Sequence, residues 1–260
     1  MTMTVIDDTI DRRPDKHDGA GGTPCEPTMI QPHAIAELFK RVDLSLYGDA
    51  RRDFLAQVDL EPNRKPDKDF DAMMQRAFED WFTFDCELDI CGQTPFDIAS
   101  RYLRRKLNCI GRREYTDLRE VSATNRASWY RIIDANAVSG RIWLEDRAGG
   151  DVYAVHAREL ASRCDGTKRG TLVGRIAEAR GVWKVIGTPL HLSRREDADR
   201  AHMRFCRMLG QRRPQYADLV RFLFGRDTGA WVDAAPARDY ERIHGVEDVW
   251  AKLSRTEPEP

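Results

Sequence analysis

The stretch FEDWFTFDCELDICGQTPFDIASRYL, residues 78–103, ends one helix pattern and starts another. Upstream and into this stretch, apolar residues recur at the three- and four-residue spacing of a single helix face. They are Phe70, Met73, Met74, Ala77, Phe78, Trp81 and Phe82. The pattern predicts a long helix that ends near Asp85 and places Trp81 and Phe82 in the core.

A turn and a second helix start follow at DICGQTPFD. Gly92 suits a turn, Thr94 is a good N-cap residue, and Pro95 fits the first helical position. Asp97 stands where it can close the cap. We therefore predict a helix from Pro95 to about Asn108, with these residues facing inward: Phe96, Ala99, Tyr102 and Leu103.

The acids of the opening stretch allow two interpretations. Asp85 would lie at a helix C-terminus, where a carboxylate is unfavourable unless it accepts hydrogen bonds or pairs with a cation. We expect it to bond to the turn or to an arginine, with Asp80 near the polar side of the apolar stripe. The alternative is an enzyme in which Asp80, Asp85 and His156 converge in one pocket for acid–base chemistry.

Outside this stretch, helix patterns cover residues from Pro32, Arg51–Val58 and Arg113–Val121. At about Ser128 the hydrophobic period changes from 3.6 to 2, and the pattern predicts five strands up to residue 192. Gly149–Gly150 and Arg180–Gly181 are the predicted hairpin turns. Five short strands with no protected edges favour a small antiparallel barrel, either OB-like or SH3-like.

Helix signals return after the strands, with a capping box at Ser193 and Glu196 and another helix opened by Pro214. The predicted fold is α+β: N-terminal helices, a five-stranded antiparallel barrel and C-terminal helices. The predicted parts are a disordered tail (1–28), a helical region (29–125), the barrel (126–192), a helical cap (193–226) and an irregular extension (227–260).

Two motifs carry a resemblance to a known family. FEDWFTFD and GQTPFDIASRYL, followed by a β-rich segment from SWYRIIDA, resemble an uncharacterised bacterial module with Trp-Phe-x-Phe-Asp and Gly-x-Thr-Pro motifs. That module often accompanies a SEC-C zinc-binding tail, a Cys-rich C-terminal motif that this sequence lacks. The resemblance covers residues 70–192 and implies a helix-plus-barrel module, but it does not imply a metal.

Charge and cysteine content narrow the classes of function. A net charge of -1 gives no overall field that would attract nucleic acid or an anionic membrane. The six cysteines form no C-x-x-C pair, so neither a zinc site nor a disulfide framework is predicted. No apolar run approaches the roughly 18 residues of a membrane span. We expect a cytoplasmic protein with no cofactor and no membrane partner.

The leading hypothesis is a non-enzymatic protein-interaction module, and the alternative is nucleic-acid binding. Residues 98–113 hold six bases and no acid, whereas residues 59–97 hold eleven acids and four bases. The bases either pair with the acidic segment or contact phosphates. The nucleic-acid version uses Trp143 or Trp183 on the outer barrel face for stacking, near Arg141, Arg175 and Lys184. Its phosphate contacts are Arg101, Arg104, Arg105 and Lys106.

Overall fold

The computed structural model describes residues 26–60, 67–88, 91–106, 108–194, 198–210 and 214–226. This part of the chain has an α+β architecture with helices at both ends. Its helices are α1 (Pro32–Val42), α2 (Leu44–Val58), α3 (Lys68–Phe84), α4 (Pro95–Arg105), α5 (Arg112–Thr124), α6 (Arg158–Arg163), α7 (Ala198–Leu209) and α8 (Tyr216–Phe224). Its strands are β1 (Arg126–Asn136), β2 (Arg141–Asp146), β3 (Val152–His156), β4 (Gly170–Ala179) and β5 (Val182–Ser193).

Several predicted segments fall outside the described residues. They are most of the N-terminal tail, the whole C-terminal extension from residue 227, and Glu196 of the capping box. Ser193, the other member of that box, is the last residue of β5. Residues 26–28, which the sequence assigned to the tail, contact the folded part: Glu26 pairs with Lys184, and Thr28 N donates to Asp117.

The five strands form one mixed sheet that closes into a barrel in the order β1-β2-β3-β5-β4. Four of the five pairings are antiparallel, but β3 and β5 run parallel where Val155 lies opposite Trp183. The expectation of a purely antiparallel barrel was therefore wrong. The reason is one of parity, because a closed ring with an odd number of strands cannot alternate direction at every pairing.

Three apolar clusters divide the core. Tyr130, Leu144 and Leu172 belong to the cluster inside the barrel. A second cluster joins α2, α3, α7 and α8 to the outward side chains of β1 and β4, including Trp129 and Val173. A third joins α1, α3, α4 and α5 to the outer side of β4 and β5. The helices thus cover the β1–β4–β5 side of the barrel.

The turn after α3 follows its predicted chemistry. Thr94 is the N-cap of α4, its Oγ1 accepting a hydrogen bond from Asp97 N, and Pro95 occupies the first turn. Trp81 and Phe82 are buried, as predicted. The helix differs at its end, because α4 stops at Arg105 and Tyr102, expected to face inward, is 42% exposed.

Two further elements depart from the sequence analysis. Helix α2 begins at Leu44 rather than Arg51, because Asp43 caps it by accepting a hydrogen bond from Leu46 N. Helix α6, between β3 and β4, was not predicted; its six residues are too few to show a helical period. Both hairpin turns lie where they were predicted, and Arg180 and Gly181 both have positive φ.

Candidate functional site

Arg175 is the centre of the most extensive buried polar cluster in the described chain. It lies in β4 with its side chain pointing out of the barrel into the helical layer, and it is fully buried. Its Nε donates to Asp80 Oδ1 at 2.8 Å and its Nη1 to Asn125 Oδ1 at 2.7 Å. Its Nη2 donates to Asp85 Oδ2. We call Arg175, Asp80, Asp85 and Asn125 the arginine cluster.

Local structure explains why these groups meet. Asp80 lies one turn before the end of α3, and Asp85 is the C-cap residue of that helix. Asn125 is the C-cap residue of α5, directly before β1. Aromatic rings flank the guanidinium, which lies 4.8 Å from the centroid of Phe84 and 5.2 Å from that of Tyr216. The cluster therefore ties α3, α5 and α8 to β4.

The two carboxylates have different surroundings. Burial raises the pKa of Asp80 to about 6, and the attraction of Arg175 opposes that shift only in part. The Asp85 side chain keeps 27% of its surface exposed. Although burial alone opposes a charge on Arg175, Asp85 and Asp80 together raise its pKa above the ordinary value. Arg175 therefore stays charged, whereas burial favours the neutral form of Asp80.

The arrangement clamps elements together, and both Arg175 and Asp80 are shielded from solvent. Asp80 is fully buried, whereas the sequence placed it near the polar side of the α3 stripe. Its Oδ2 has no hydrogen-bond partner among the described residues, and neither has Tyr216 Oη. Asp85 pairs with an arginine, which was one of the two structural outcomes expected for it. His156 lies elsewhere, at the end of β3 and opposite Arg141.

Trp183 lies at one end of the barrel and not on its outer face. Its ring packs on Tyr153 at a centroid distance of 4.6 Å, and both belong to the interior cluster. The guanidinium of Arg126 lies 5.1 Å from the Tyr153 ring and 5.5 Å from the Trp183 ring, and it donates to Tyr153 Oη. Asp151 accepts a hydrogen bond from the same hydroxyl. Trp183 is thus occupied by intramolecular packing.

Trp143 lies on the outer side of the barrel, as predicted. Along β2 its neighbours Ile142 and Leu144 point into the barrel, so Trp143 points out. It is half-buried, and across the sheet it faces Asp134 of β1 and Ala154 of β3. Apart from α6, no helix in the described ranges packs extensively on β2 or β3. We call the outward residues Ile133, Trp143, Val152 and Ala154 the strand face.

The basic residues predicted to contact phosphates lie at the end of α4. Arg101 Nε donates to Asp97 O, and Arg104 Nη1 donates to Ile110 O. Arg105 and Lys106 are exposed. Helix α4 packs on α1, α3 and α5, so the structure does not bring these bases together with Trp143 on β2. A joint site of basic helix and barrel tryptophans is not formed.

Arg175 differs most from its predicted position among the candidate site residues. It was placed among exposed bases near the tryptophans, yet it is the buried centre of the arginine cluster. A signal was present, because Arg175 stands in TLVGRIAEA, where apolar or small residues flank it on both sides. Tyr216 and Asn125 were missed, since nothing in their local sequence indicates their contacts with Arg175.

Comparisons with models of known protein families, with curated proteins and with solved structures found no match. In the part of the chain that the structure describes, no group of three or more His, Cys, Asp or Glu side chains is arranged to hold a metal ion. None of the described helices combines the length and apolar character that crossing a bilayer requires. The strand face and the basic end of α4 remain the candidate binding surfaces.

Proposed function

We propose that this protein is a non-enzymatic interaction module that binds a protein partner through the strand face. The observation that carries the proposal is an aromatic and aliphatic surface on β1, β2 and β3 that the described helices leave open. Val152 is 56% exposed and Ile133 37% exposed, on either side of the half-buried Trp143. Tryptophan at the centre of a contact surface is typical of protein-binding hot spots.

The charges around the strand face favour protein over nucleic acid. Arg131 and Glu145 form an ion pair at 3.6 Å across β1 and β2. Asp134 faces Trp143, and Arg141 lies two residues before Trp143 at the start of β2. The charges of these two arginines and two carboxylates sum to zero, so this surface lacks the positive field that phosphate contacts require. An apolar centre with a mixed polar rim is instead the usual composition of a protein interface.

We infer that the barrel is the OB-like alternative. The parallel β3–β5 pair and the helix between β3 and β4 support this assignment. In OB-type barrels, ligands lie across strands 2 and 3, which is where the strand face is found. The irregularity of β1 between Ile132 and Asp134 leaves Ile133 without a cross-strand partner and turns it to solvent. Such bulges commonly re-aim side chains next to functional surfaces.

The test compares two single substitutions that each add one positive charge to an exposed side chain. Ala154→Arg places a long charged side chain beside Trp143. Val42→Arg places one at the end of α1, where Val42 is 76% exposed, on the helical side of the molecule. Circular dichroism and melting temperatures verify that both variants keep the fold.

Tagged wild-type protein would be used to capture partners from a lysate of the source cells, and each captured protein would then be purified and titrated by calorimetry. We expect Ala154→Arg to weaken the reconstituted complex by about 30-fold or more, in line with loss of a hot-spot contact of about 2 kcal/mol. Val42→Arg should leave the affinity unchanged. Equal binding by wild type and Ala154→Arg, or no partner at all, contradicts the proposal.

A further inference from the structure

Six bases meet at the junction of α4 and α5. Helix α4 ends at Arg105, α5 starts at Arg112, and the two helices pack on each other, so the short connection brings their ends to one corner of the molecule. We call this junction the α4–α5 corner. Its bases are Arg101, Arg104, Arg105, Lys106, Arg112 and Arg113. Four of them, Arg105, Lys106, Arg112 and Arg113, are exposed.

The carboxylates near the corner are already engaged by other groups. Asp97 accepts hydrogen bonds from Thr94 Oγ1 and Ser122 Oγ, and Glu114 accepts one from Gly111 N. Asp85 is held by Arg175. Across the described ranges no carboxylate lies within ion-pair distance of the six bases. The pairing with the acidic segment that the sequence suggested is therefore not formed there.

The two half-buried arginines of the corner are oriented by the backbone. Arg101 and Arg104 each use one guanidinium nitrogen to reach a main-chain carbonyl, of Asp97 and Ile110 respectively. These contacts hold the planar groups in place while leaving most of their five donors unused. A positioned guanidinium with free donors matches the oxygens of a phosphate group.

An aromatic ring stands among these charges. Tyr102 is 42% exposed. Burial was expected because the side chain is aromatic and stands three residues after the buried Ala99, on the same face of α4. On a helix, Tyr102 shares a face with the residues three and four positions later, which are Arg105 and Lys106. An exposed aromatic ring beside cations is the combination with which proteins hold an unpaired base and its flanking phosphates.

We propose that the α4–α5 corner binds single-stranded nucleic acid. The Arg and Lys side chains of the corner contact successive phosphates, and Tyr102 stacks on a nucleobase. The surface is separate from the strand face, so its test does not depend on the protein partner. Single strands fit better than a duplex because only an unpaired base offers its face to Tyr102. The exposed cations supply the charge complementarity that the molecule as a whole, at a net charge of -1, does not.

The test measures fluorescence anisotropy of labelled homopolymeric single strands of about 20 nucleotides, and of a duplex of equal length, over a salt series. One variant changes Arg105, Lys106, Arg112 and Arg113 to Gln. Its matched control changes four exposed bases of α1 and α2, Lys40, Arg41, Arg51 and Arg52, to Gln and so alters the net charge equally. All eight side chains are exposed, so both variants are expected to fold.

The corner variant should lose about 100-fold or more in affinity at low salt, and its slope of log affinity against log salt should flatten by about 3, near 0.7 for each lost phosphate contact. The control variant should change affinity by less than about threefold. Equal losses in the two variants would show unspecific attraction and overturn the proposal. Absence of binding by the wild type at low salt would overturn it as well.

Substitutions at Tyr102 test the contribution of stacking to binding separately from that of charge. Tyr102→Ala should weaken single-strand binding about tenfold or more, whereas Tyr102→Phe, which keeps the ring, should bind as the wild type does. The duplex should bind more weakly than the single strand and should not respond to Tyr102→Ala. A Tyr102→Ala variant with unchanged single-strand affinity contradicts the proposed contact.

Discussion

At the scale of single residues, Asp80 is the most unusual group in the described structure. It is fully buried, one of its oxygens has no partner there, and Arg175 is shared with Asp85. A buried carboxylate whose charge is only partly compensated favours its neutral form. Burial accordingly raises the pKa of Asp80 to about 6 from its ordinary value of 3.8. The surrounding groups that carry charge or can titrate are Arg175, Asp85 and Tyr216.

The raised pKa of Asp80 sets the direction of a pH effect on stability. Between the ordinary and the raised pKa the folded protein holds a proton that the unfolded chain releases. The resulting stabilisation is complete below about pH 4 and is lost as the pH rises through about 6. Asp80→Asn removes the titration and keeps the shape of the side chain.

We expect the free energy of unfolding of the wild type to fall relative to that of Asp80→Asn by up to about 3 kcal/mol between about pH 4 and pH 7. The folded and unfolded pKa values of Asp80 bound this effect, at about 1.4 kcal/mol for each pH unit between them. Urea denaturation of both proteins over a pH series measures the difference. Asp49→Asn, at a carboxylate of α2 that is 59% exposed, is the control. Parallel curves for wild type and Asp80→Asn would rule out the assignment.

At the scale of secondary-structure elements, β5 and α3 approach each other closely at Gly187. A methyl group added there would lie 1.8 Å from Asp80 Oδ2, and the residue has a φ of +68°. Glycine is required at position 187 for two reasons: the backbone conformation there is left-handed, and the absence of a side chain makes room for the Asp80 carboxylate. This contact brings β5 against the helix that carries the arginine cluster.

Gly187→Ala should lower the free energy of unfolding by about 3 kcal/mol or more, because the clash adds to the strain of positive φ. Gly150→Ala is the matched control; its φ is +77°, and nothing lies within 4 Å of the added methyl, so only the strain of about 1 kcal/mol remains. Urea denaturation measures both. Combining Gly187→Ala with Asp80→Ala should recover part of the loss, and equal losses in the two glycine variants would contradict the steric explanation.

At the scale of the whole molecule, Arg175 lies where the barrel meets the helices. β4 contributes residues to all three apolar clusters, so the outer side of one strand is part of the helical core while its inner side is part of the barrel core. A second charged contact also joins the barrel to the helices. Arg180 of the β4–β5 turn donates to both carboxylate oxygens of Asp117 on α5. The described helices and barrel should therefore unfold together.

Arg175→Met tests this coupling. It leaves Asp80 and Asp85 without their cation, and breaking a buried ion pair typically costs about 3–5 kcal/mol. We expect one cooperative transition, shifted to lower denaturant, with tryptophan fluorescence and circular dichroism coinciding. Arg141→Met, at an exposed position on β2, should stay within about 0.5 kcal/mol of the wild type. Two separate transitions in the wild type, or an unchanged Arg175→Met, would refute the coupling.

Local patterns in the sequence predicted much of the fold. The apolar stripe from Phe70 to Phe82, the cap at Thr94 and Pro95, and the hairpin turn at Arg180–Gly181 depend on neighbours within a few residues, and each is found in the structure. The change of period near Ser128 correctly marked the start of the sheet. Such features follow from backbone conformation and periodicity, which a short segment specifies by itself.

The candidate surfaces could be predicted only in part. Trp143 was expected on the outer barrel face and lies there, but Trp183 packs on Tyr153, and Tyr102 is exposed where burial was expected. Whether a strand or helix side chain meets solvent depends on which elements cover it. The covering elements come from residues far away in the chain, so the local hydrophobic pattern alone cannot specify which side chains are exposed.

By itself, the sequence determined the order of most helices and strands, the turns between them and the basic composition of residues 98–113, because these depend on local interactions. Only the tertiary structure decided that β3 and β5 pair in parallel, that Arg175 is buried against Asp80 and Asp85, and that the bases of α4 and α5 meet at a corner free of described carboxylate partners. The physical reason is separation along the chain: Arg175 and Asp80 stand 95 residues apart, and only closure of the barrel against the helices brings them into contact.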